Sequence, residues 1–290
     1  MHEFKRILFP IDFSEQCVAI VPAVKAMASR FNSELVALHV IDLPPAWFGA
    51  PEASAWAVLI NADRLRQEGR VALERFVGQH LAEMRLRSEL LEGEAAYQIA
   101  ACAREEQVDL IMMPTRGYGP FRSLLLGSVA AKVLHDAQCS VWTGRHAEEL
   151  TAHPPDRWKN FLCAIDADPK DLATLRWAAE FAGEQSANLR LVHAVRGAGG
   201  SISRDSDPGM YEFLFNIARD EIAKLQSSLG TNFELCLQEG GVGRVVHRSA
   251  IGHNADLIIC GRGVIHKTLG GLRSSTYGII REAPCPVISI

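Results

Sequence analysis

The chain has 290 residues, about twice the length that is usual for one α/β domain, which predicts two domains. Its 30 Lys and Arg residues against 34 Asp and Glu residues give a formal net charge of −4, so we expect no nucleic-acid binding driven by phosphate neutralisation. With 48% hydrophobic residues, no apolar run of membrane-spanning length, no signal-peptide pattern and seven cysteines without a Cys-x-x-Cys pair, the sequence predicts a cytoplasmic globular protein with reduced thiols.

The sequence repeats itself, with an offset that falls from 154 to 146 residues along the chain. Asp12 closes a short apolar run, and Asp166 closes a similar run in the second half. Five such matches in the same order predict two similar domains. The polar segment around Pro154 and Pro155 predicts a linker, so the domains are expected over residues 1–146 and 158–290, with the linker over 147–157.

The sequence of each half predicts strands that alternate with helices. In the first half the strand-like runs are 7–11, 35–41, 88–91, 110–113 and 140–142. The helices are expected to begin near Ser14, to span about 56–84 and 95–106, and to follow Gly127-Ser128. In the second half, Asp168-Pro169 and Asp207-Pro208 are predicted helix starts, and Gly230 a predicted helix end. The pattern predicts two doubly wound domains, each a five-stranded parallel sheet with helices on both faces.

A glycine-bearing segment, 114–129, follows the fourth predicted strand and enters a helix at Ser128. Glycines allow backbone amides to approach an anion, and a helix N-terminus adds unpaired donors and partial positive charge. Asp12 follows the first strand, so it would lie at the same edge of the sheet, where ligands bind in open α/β folds. The segment is therefore either a phosphate site or a plain connection with a serine N-cap.

The sequence resembles the tandem form of the universal stress protein family over essentially the whole chain. In the first half, the residues that carry this resemblance are 7–15 (ILFPIDFSE), 38–42 (LHVID), 109–117 (DLIMMPTRG), 126–129 (LGSV) and 139–141 (CSV). In the second half they are Asp166, 256–263 (DLIICGRG) and 283–287 (APCPV). The resemblance implies an adenine nucleotide alpha hydrolase-like fold, with the two domains related by a pseudo-two-fold axis.

The nucleotide-binding branch of that family carries Gly-x-x-Gly, nine residues, then Gly-Ser or Gly-Thr. Gly117, Gly127 and Ser128 match this pattern, whereas Pro114 replaces its first glycine. The resemblance implies ATP or a related adenine nucleotide as the cofactor. It also implies which residues would face the nucleotide: Asp12 and Val40 the adenosine, and Met113, Pro114, Gly117, Gly127, Ser128 and Val129 the ribose and phosphates.

The second half departs further from the family pattern. Its loop, with Gly261 and Gly263, is one residue shorter, and Arg273 stands before Ser274 where the first half has Gly127. The arginine side chain either fills the site or supplies its own phosphate contact. Because Asp166 is retained, these residues form a second candidate site.

The histidines form no metal-ligand cluster, and no catalytic constellation accompanies Ser128. We therefore expect no metal site and, at most, a very slow ATPase.

The leading prediction is a cytoplasmic stress-response protein that binds an adenine nucleotide in its first domain. The alternative is an interaction scaffold in which both sites are degenerate. The resemblance also implies an intrachain pseudo-dimer, with strands 140–143 and 287–290 paired, and a second copy of the chain as a further candidate partner.

Overall fold

The computed structural model describes residues 4–42, 52–115, 126–144, 158–196, 207–262 and 274–290, with the backbone alone at 52–61 and 274. Three predicted site residues, Gly117, Gly263 and Arg273, lie outside the described residues, and so does the predicted linker, 147–157.

Strands and helices alternate through both halves, as the sequence predicted. The first half contains β1 (Arg6–Pro10), α1 (Glu15–Phe31), β2 (Glu34–Ile41), α2 (Glu52–His80), β3 (Leu86–Glu92), α3 (Ala95–Glu105), β4 (Leu110–Pro114), α4 (Ser128–Asp136) and β5 (Ser140–Gly144). The second half contains β6 (Asn160–Ala164), α5 (Asp171–Gln185), β7 (Asn188–Val195), α6 (Pro208–Leu229), β8 (Glu234–Glu239), α7 (Val242–Gly252), β9 (Leu257–Cys260), α8 (Ser274–Glu282) and β10 (Val287–Ser289).

The strands form one ten-stranded sheet in the order β3-β2-β1-β4-β5-β10-β9-β6-β7-β8. Pairing is parallel within each half, and the halves join where β5 and β10 pair antiparallel. Thr143 lies opposite Val287, and Trp142 opposite Ile288. The predicted doubly wound fold is thus confirmed, and the predicted pairing of the last strands merges the two sheets into one.

Local details recur at equivalent positions in the two halves. Both Phe13 and Ala167, which follow Asp12 and Asp166, have φ of 61°. Asp109 accepts a hydrogen bond from the backbone N–H of Arg6 at 2.9 Å, and Asp256 accepts one from Asn160 at 2.9 Å. The repeated aspartates therefore occupy equivalent strand ends, as an approximate two-fold relation requires.

Most predicted helix ends are confirmed. Ser14 caps α1, because its Oγ accepts a hydrogen bond from the N–H of Cys17 at 3.1 Å. Asp207 caps α6 with Pro208 as the first helical residue, and Gly230 ends that helix with φ of 65°.

The predicted start of α5 at Asp168-Pro169 is wrong, since this helix begins at Asp171. Asp168 instead stabilises the preceding turn: its carboxylate accepts from the N–H of Lys170 at 2.9 Å, and its carbonyl accepts from the N–H of Asp171 at 2.8 Å. The Asp171 carboxylate in turn accepts hydrogen bonds from the N–H groups of Asp166 and Asp168, at 2.7 and 3.2 Å. These contacts hold the backbone in a turn before the helix begins.

Hydrophobic clusters cover both faces of the sheet, and each cluster contains residues of both halves. On one face, Phe4 and Phe31 of the first half contact Phe181 of α5, with ring centroids 6.3 and 6.2 Å away. Phe181 also stacks on Trp177 and Phe161. The two halves thus share one core. Among the described residues, no helix has the length and apolar character that crossing a membrane requires.

Candidate functional site

Asp12 lies just beyond the end of β1, next to the N-terminus of α1. Its Oδ1 accepts hydrogen bonds from the N–H of Ser14 at 3.0 Å and from the hydroxyl of Ser14 at 2.6 Å. The Ser14 hydroxyl oxygen in turn accepts from Cys17. This chain of hydrogen bonds orients the carboxylate at the edge of the sheet.

The backbone adopts a left-handed conformation at Phe13, directly after Asp12. Its φ of 61° is uncommon for a residue with a bulky side chain. The Phe13 ring lies 4.5 Å from the ring of His39 and 6.0 Å from that of Phe76. The Nδ1 atom of His39 lies 2.7 Å from the carbonyl oxygen of Ile11. Sequence reasoning missed Phe13, because no local pattern signals a left-handed phenylalanine.

Val40, Met113 and Pro114 lie at neighbouring strand ends. Val40 is half-buried near the end of β2, while Met113 and Pro114 are buried at the end of β4. Pro114 pairs with Gly144 of β5, and the next residue, Thr115, donates its N–H to the Gly144 carbonyl at 3.1 Å. Because proline has no N–H, position 114 offers no backbone donor to a ligand.

Gly127 is the N-cap of α4, with φ of −61° and ψ of 147°. Its N–H donates to the carbonyl of Thr115 at 2.9 Å, so this amide is engaged within the protein. Ser128 is exposed as the first residue of the helix, and Val129 is half-buried. The alternative prediction was a plain connection with Ser128 as the N-cap. Its cap is wrong, because Gly127 holds that position. A helix leaves its first-turn amides without acceptors of its own, so the donors for an anion begin at Ser128.

In the second half, the equivalent strand ends enclose a cavity of about 30 Å³. Its lining includes Asp166, Ala194, Gly261, Ser275 and Thr276. Asp166 and Ala194 occupy the positions of Asp12 and Val40 in the repeat. A cavity of this volume holds about one or two water molecules. The described part of this candidate site, without residues 263–273, has room for water molecules only.

Gly261, at the end of β9, explains part of this close packing. A Cβ atom at position 261 would lie 2.7 Å from the Oγ1 of Thr174 in α5, so a larger residue would require the Thr174 side chain to move. The hydroxyl of Thr276 donates to the Gly261 carbonyl at 3.1 Å. The glycine allows two elements to approach each other and does not open space for a ligand.

Asp171 occupies the position that Cys17 has in the first half, and it also lines this cavity. Burial raises the pKa of the Asp171 carboxyl, and the two backbone N–H groups that it accepts from lower that pKa in part. Cys17 is a buried core thiol, and this burial raises its pKa to about 12. All seven cysteines lie in the described residues, and all are free thiols.

The Asp171 carboxylate should make stability fall as the pH rises. A raised folded-state pKa means that the folded protein holds this proton more tightly than the unfolded chain. The resulting stabilisation is complete below the ordinary aspartate pKa of about 4 and is lost as the pH rises through the folded-state value. Asp171→Asn keeps an oxygen acceptor without the charge, so it should flatten this dependence and be at least as stable as wild type at pH 7. Thermal melts of both proteins between pH 4 and 7 test this. A wild type that gains stability over Asp171→Asn as the pH rises would contradict it.

Within the residues that the structure describes, no group of three or more His, Cys, Asp or Glu side chains is placed to hold a metal ion.

The fold defines a tandem α/β protein whose two candidate sites lie at the ends of its central strands. The sequence profile of the Universal stress protein family matches residues 3–145 and again 157–290. The chain therefore belongs to the universal stress protein family.

Relatives and solved structures agree with this assignment. A universal stress protein of Methanocaldococcus jannaschii is 32% identical over 141 residues, which cover 48% of this chain and 80% of that protein. One of Thermus aquaticus is 34% identical over 140 residues, covering 48% of this chain and 96% of that protein. The crystal structure of a universal stress protein from Archaeoglobus fulgidus has the same fold across both halves, with a TM-score of 0.67, 19% identity, and coverage of 99% of this chain and 98% of that one.

Proposed function

We propose that this chain is a cytoplasmic stress-response protein that binds one adenine nucleotide, ATP or a close relative, in its first half. We also propose that its domains extend over 1–146 and 158–290, with 147–157 as the linker. The observation that carries the nucleotide proposal is the strand order. Strand β1 lies between β2 and β4, so Asp12 after β1 and Ser128 after β4 flank the point where the order of the strands reverses. Open α/β sheets bind their ligands in this crevice.

Each end of the crevice suits a different part of the nucleotide. The Asp12 carboxylate is an acceptor for a ribose hydroxyl, and half-buried Val40 offers an apolar surface to the base. At the other end, exposed Ser128 supplies a hydroxyl and the first-turn amides of α4 supply donors for phosphate oxygens. The partial positive charge of a helix N-terminus favours the same anion.

We infer that the second half takes no nucleotide. Its cavity of about 30 Å³ would have to open substantially, and Gly261 is already in close contact with Thr174. The expected stoichiometry is therefore one nucleotide per chain.

Efficient ATP hydrolysis is not part of this proposal. The described groups nearest to Asp12 are engaged in the fold: His39 bonds to the Ile11 carbonyl, and burial keeps the Cys17 thiol protonated. Asp12 itself accepts hydrogen bonds from Ser14. The proposal of slow turnover rests on the protonated Cys17 thiol and on the sequence around Ser128, which carries no catalytic constellation. Turnover, if measured, should be very slow.

Two observations favour a second candidate function, an interaction scaffold without a nucleotide. Pro114 has no N–H to offer, and the Gly127 N–H is already donated to Thr115. The loop thus has fewer backbone donors than the family pattern supplies.

Mass spectrometry of small molecules released by denaturing the purified protein separates the two functions. The nucleotide proposal predicts that an adenine nucleotide is released after incubation with ATP and removal of unbound ligand. Release of none, from protein that is folded by circular dichroism, would favour the scaffold.

A further inference from the structure

A single arginine connects the second half to the helix that begins the proposed nucleotide site. Arg262 follows Gly261 at the end of β9, and its Nη1 donates a hydrogen bond to the carbonyl of Ala137 at 2.6 Å. Ala137 is the C-cap of α4 in the first half. The two residues are 125 positions apart in the sequence, so only the pairing of the halves brings them together.

The Arg262 contact suits the end of a helix. The last carbonyls of a helix have no partners within it, and the helix dipole favours a positive charge at that end. The Arg262 backbone is itself fixed, because its N–H donates to the carbonyl of Ile290 at 2.9 Å. Arg262 is half-buried, and this burial lowers the pKa of its guanidinium. A desolvated donor makes a stronger hydrogen bond than an exposed one.

The other end of α4 is the proposed phosphate site. The helix has nine residues and is therefore about 13 Å long. Its start is tied to Thr115 through the Gly127 N–H, and its exposed side is tied to α3 by the ion pair of Lys132 with Glu94 at 2.7 Å. Arg262 is the described side chain that donates to its C-terminal cap from the second half. A short helix moves as a unit, so a shift at Ala137 also displaces Ser128.

The strand position of the first half that is equivalent to Arg262 carries a shorter side chain. Thr115 corresponds to Arg262, since Thr115 donates its N–H to Gly144 at 3.1 Å as Arg262 does to Ile290. The Thr115 hydroxyl points back to the Gly144 carbonyl, 3.4 Å away, and is too short to reach the other half. At this strand position the cross-contact therefore depends on the arginine side chain. The sequence repeat matches Arg262 with Arg116, which lies outside the described residues.

We propose that Arg262 is a positioning residue through which the second half of the chain sets the affinity of the first half for its nucleotide. This inference rests on the proposed function, because it assigns a regulator to the same site. Since coupling between sites is reciprocal, nucleotide bound at Ser128 also strengthens the hold of Arg262 on α4. Any change that displaces the Gly261–Arg262 segment lowers nucleotide affinity.

Two cysteines provide a readout that needs no nucleotide. Cys139 lies two residues after Ala137, and Cys285 occupies the equivalent place after α8. Burial raises the pKa of the Cys139 thiol to about 11, while the nearby positive charge of Arg262 lowers it in part. Burial also raises the pKa of Cys285. Loosening the C-terminus of α4 should expose Cys139 to a thiol reagent and leave Cys285 unchanged, so Cys285 serves as the internal control.

The experiment compares wild type with Arg262→Ala, Arg262→Lys and the control Arg219→Ala. Arg219 is exposed on α6, where its side chain bonds to Asn216 three residues earlier. Titration calorimetry with ATP should show roughly tenfold weaker binding in Arg262→Ala, a coupling of ordinary size. Arg262→Lys keeps a charged donor and should recover part of the affinity, while Arg219→Ala should match wild type. Loss of the Arg262 charge by itself would raise the pKa of Cys139 and slow its reaction with maleimide. Faster modification of Cys139, relative to Cys285, in Arg262→Ala alone would therefore report exposure of the thiol, as measured by peptide mass spectrometry.

Unchanged ATP affinity in Arg262→Ala overturns the inference, whatever the labelling shows. Equal labelling of Cys139 and Cys285 in that variant also overturns it, because Arg262 would then not hold α4. If wild type binds no ATP, the proposed function fails, and the regulation of that site fails with it. In that case, selective labelling of Cys139 would still show that Arg262 holds the C-terminus of α4. Failure of the proposed function can thus be distinguished from failure of the Arg262 contact.

Discussion

Replacing Gly127 with arginine is expected to weaken ATP binding by about a hundredfold, a loss of about 2.7 kcal/mol. We expect the new side chain to crowd the N-terminus of α4, whose first-turn amides are the proposed phosphate donors. The fold should survive, because Gly127 has φ of −61° and ψ of 147°, a conformation open to any residue. The second half already carries Arg273 at the equivalent position. Titration calorimetry with ATP, with a thermal melt to verify folding, measures the effect.

Gly78→Arg is the matched control for this substitution. Gly78 lies in α2, and a Cβ there would meet no atom within 4 Å. The control adds the same charge and volume to the first half away from the crevice, so its ATP affinity should equal that of wild type. Unchanged affinity in Gly127→Arg would mean that the ligand binds elsewhere. Tighter binding would mean that an arginine at this position makes a phosphate contact of its own.

Phe181→Ala is expected to cost about 3–5 kcal/mol of the free energy of unfolding, the range for deleting a buried aromatic ring. Phe181 has 0% of its surface exposed, and its ring contacts Phe4 and Phe31 of the first half as well as Trp177 of its own helix. The cavity would lie in the core that the halves share. Both halves should therefore lose stability in one urea transition, followed by circular dichroism and tryptophan fluorescence.

Phe213→Ala removes the same ring from a position that is 59% exposed on α6. It should change the free energy of unfolding by less than about 0.5 kcal/mol, as surface substitutions usually do. Two separate transitions in Phe181→Ala, with the first half unaffected, would show that the halves are independent and that the shared core contributes little.

Much of the fold follows from local patterns in the sequence. Strands such as β1 and β4 are buried on both faces, so they read as continuous apolar runs and not as alternating ones. Helix caps are also local: Ser14 needs only the N–H of Cys17, three residues on. The pairing of β5 with β10 depended on family resemblance, because an isolated apolar strand does not identify its partner.

The remaining features depend on contacts between distant residues. The helix start at Asp168-Pro169 had the right residue types, but Asp171 holds the backbone of Asp166 and Asp168 in a turn. The sequence predicted that Asp12 and Ser128 share one edge of the sheet. It did not predict the hydrogen bond from the Gly127 N–H to the Thr115 carbonyl, because no local pattern indicates a contact across the loop. The contact of Arg262 could not be predicted from the sequence either, because its partner is a backbone carbonyl in the other half.

The central claim is one nucleotide site, in the first half, and the stoichiometry of ATP binding tests it most directly. Wild-type protein is dialysed until mass spectrometry finds no bound nucleotide, and is then titrated with ATP in a calorimeter. We expect a single class of site with close to one ATP per chain, because Ser128 begins a helix whose first-turn amides are the proposed phosphate donors, while the cavity beside Gly261 has a volume of only about 30 Å³. Two equal sites per chain, or no heat of binding by folded protein, would contradict it.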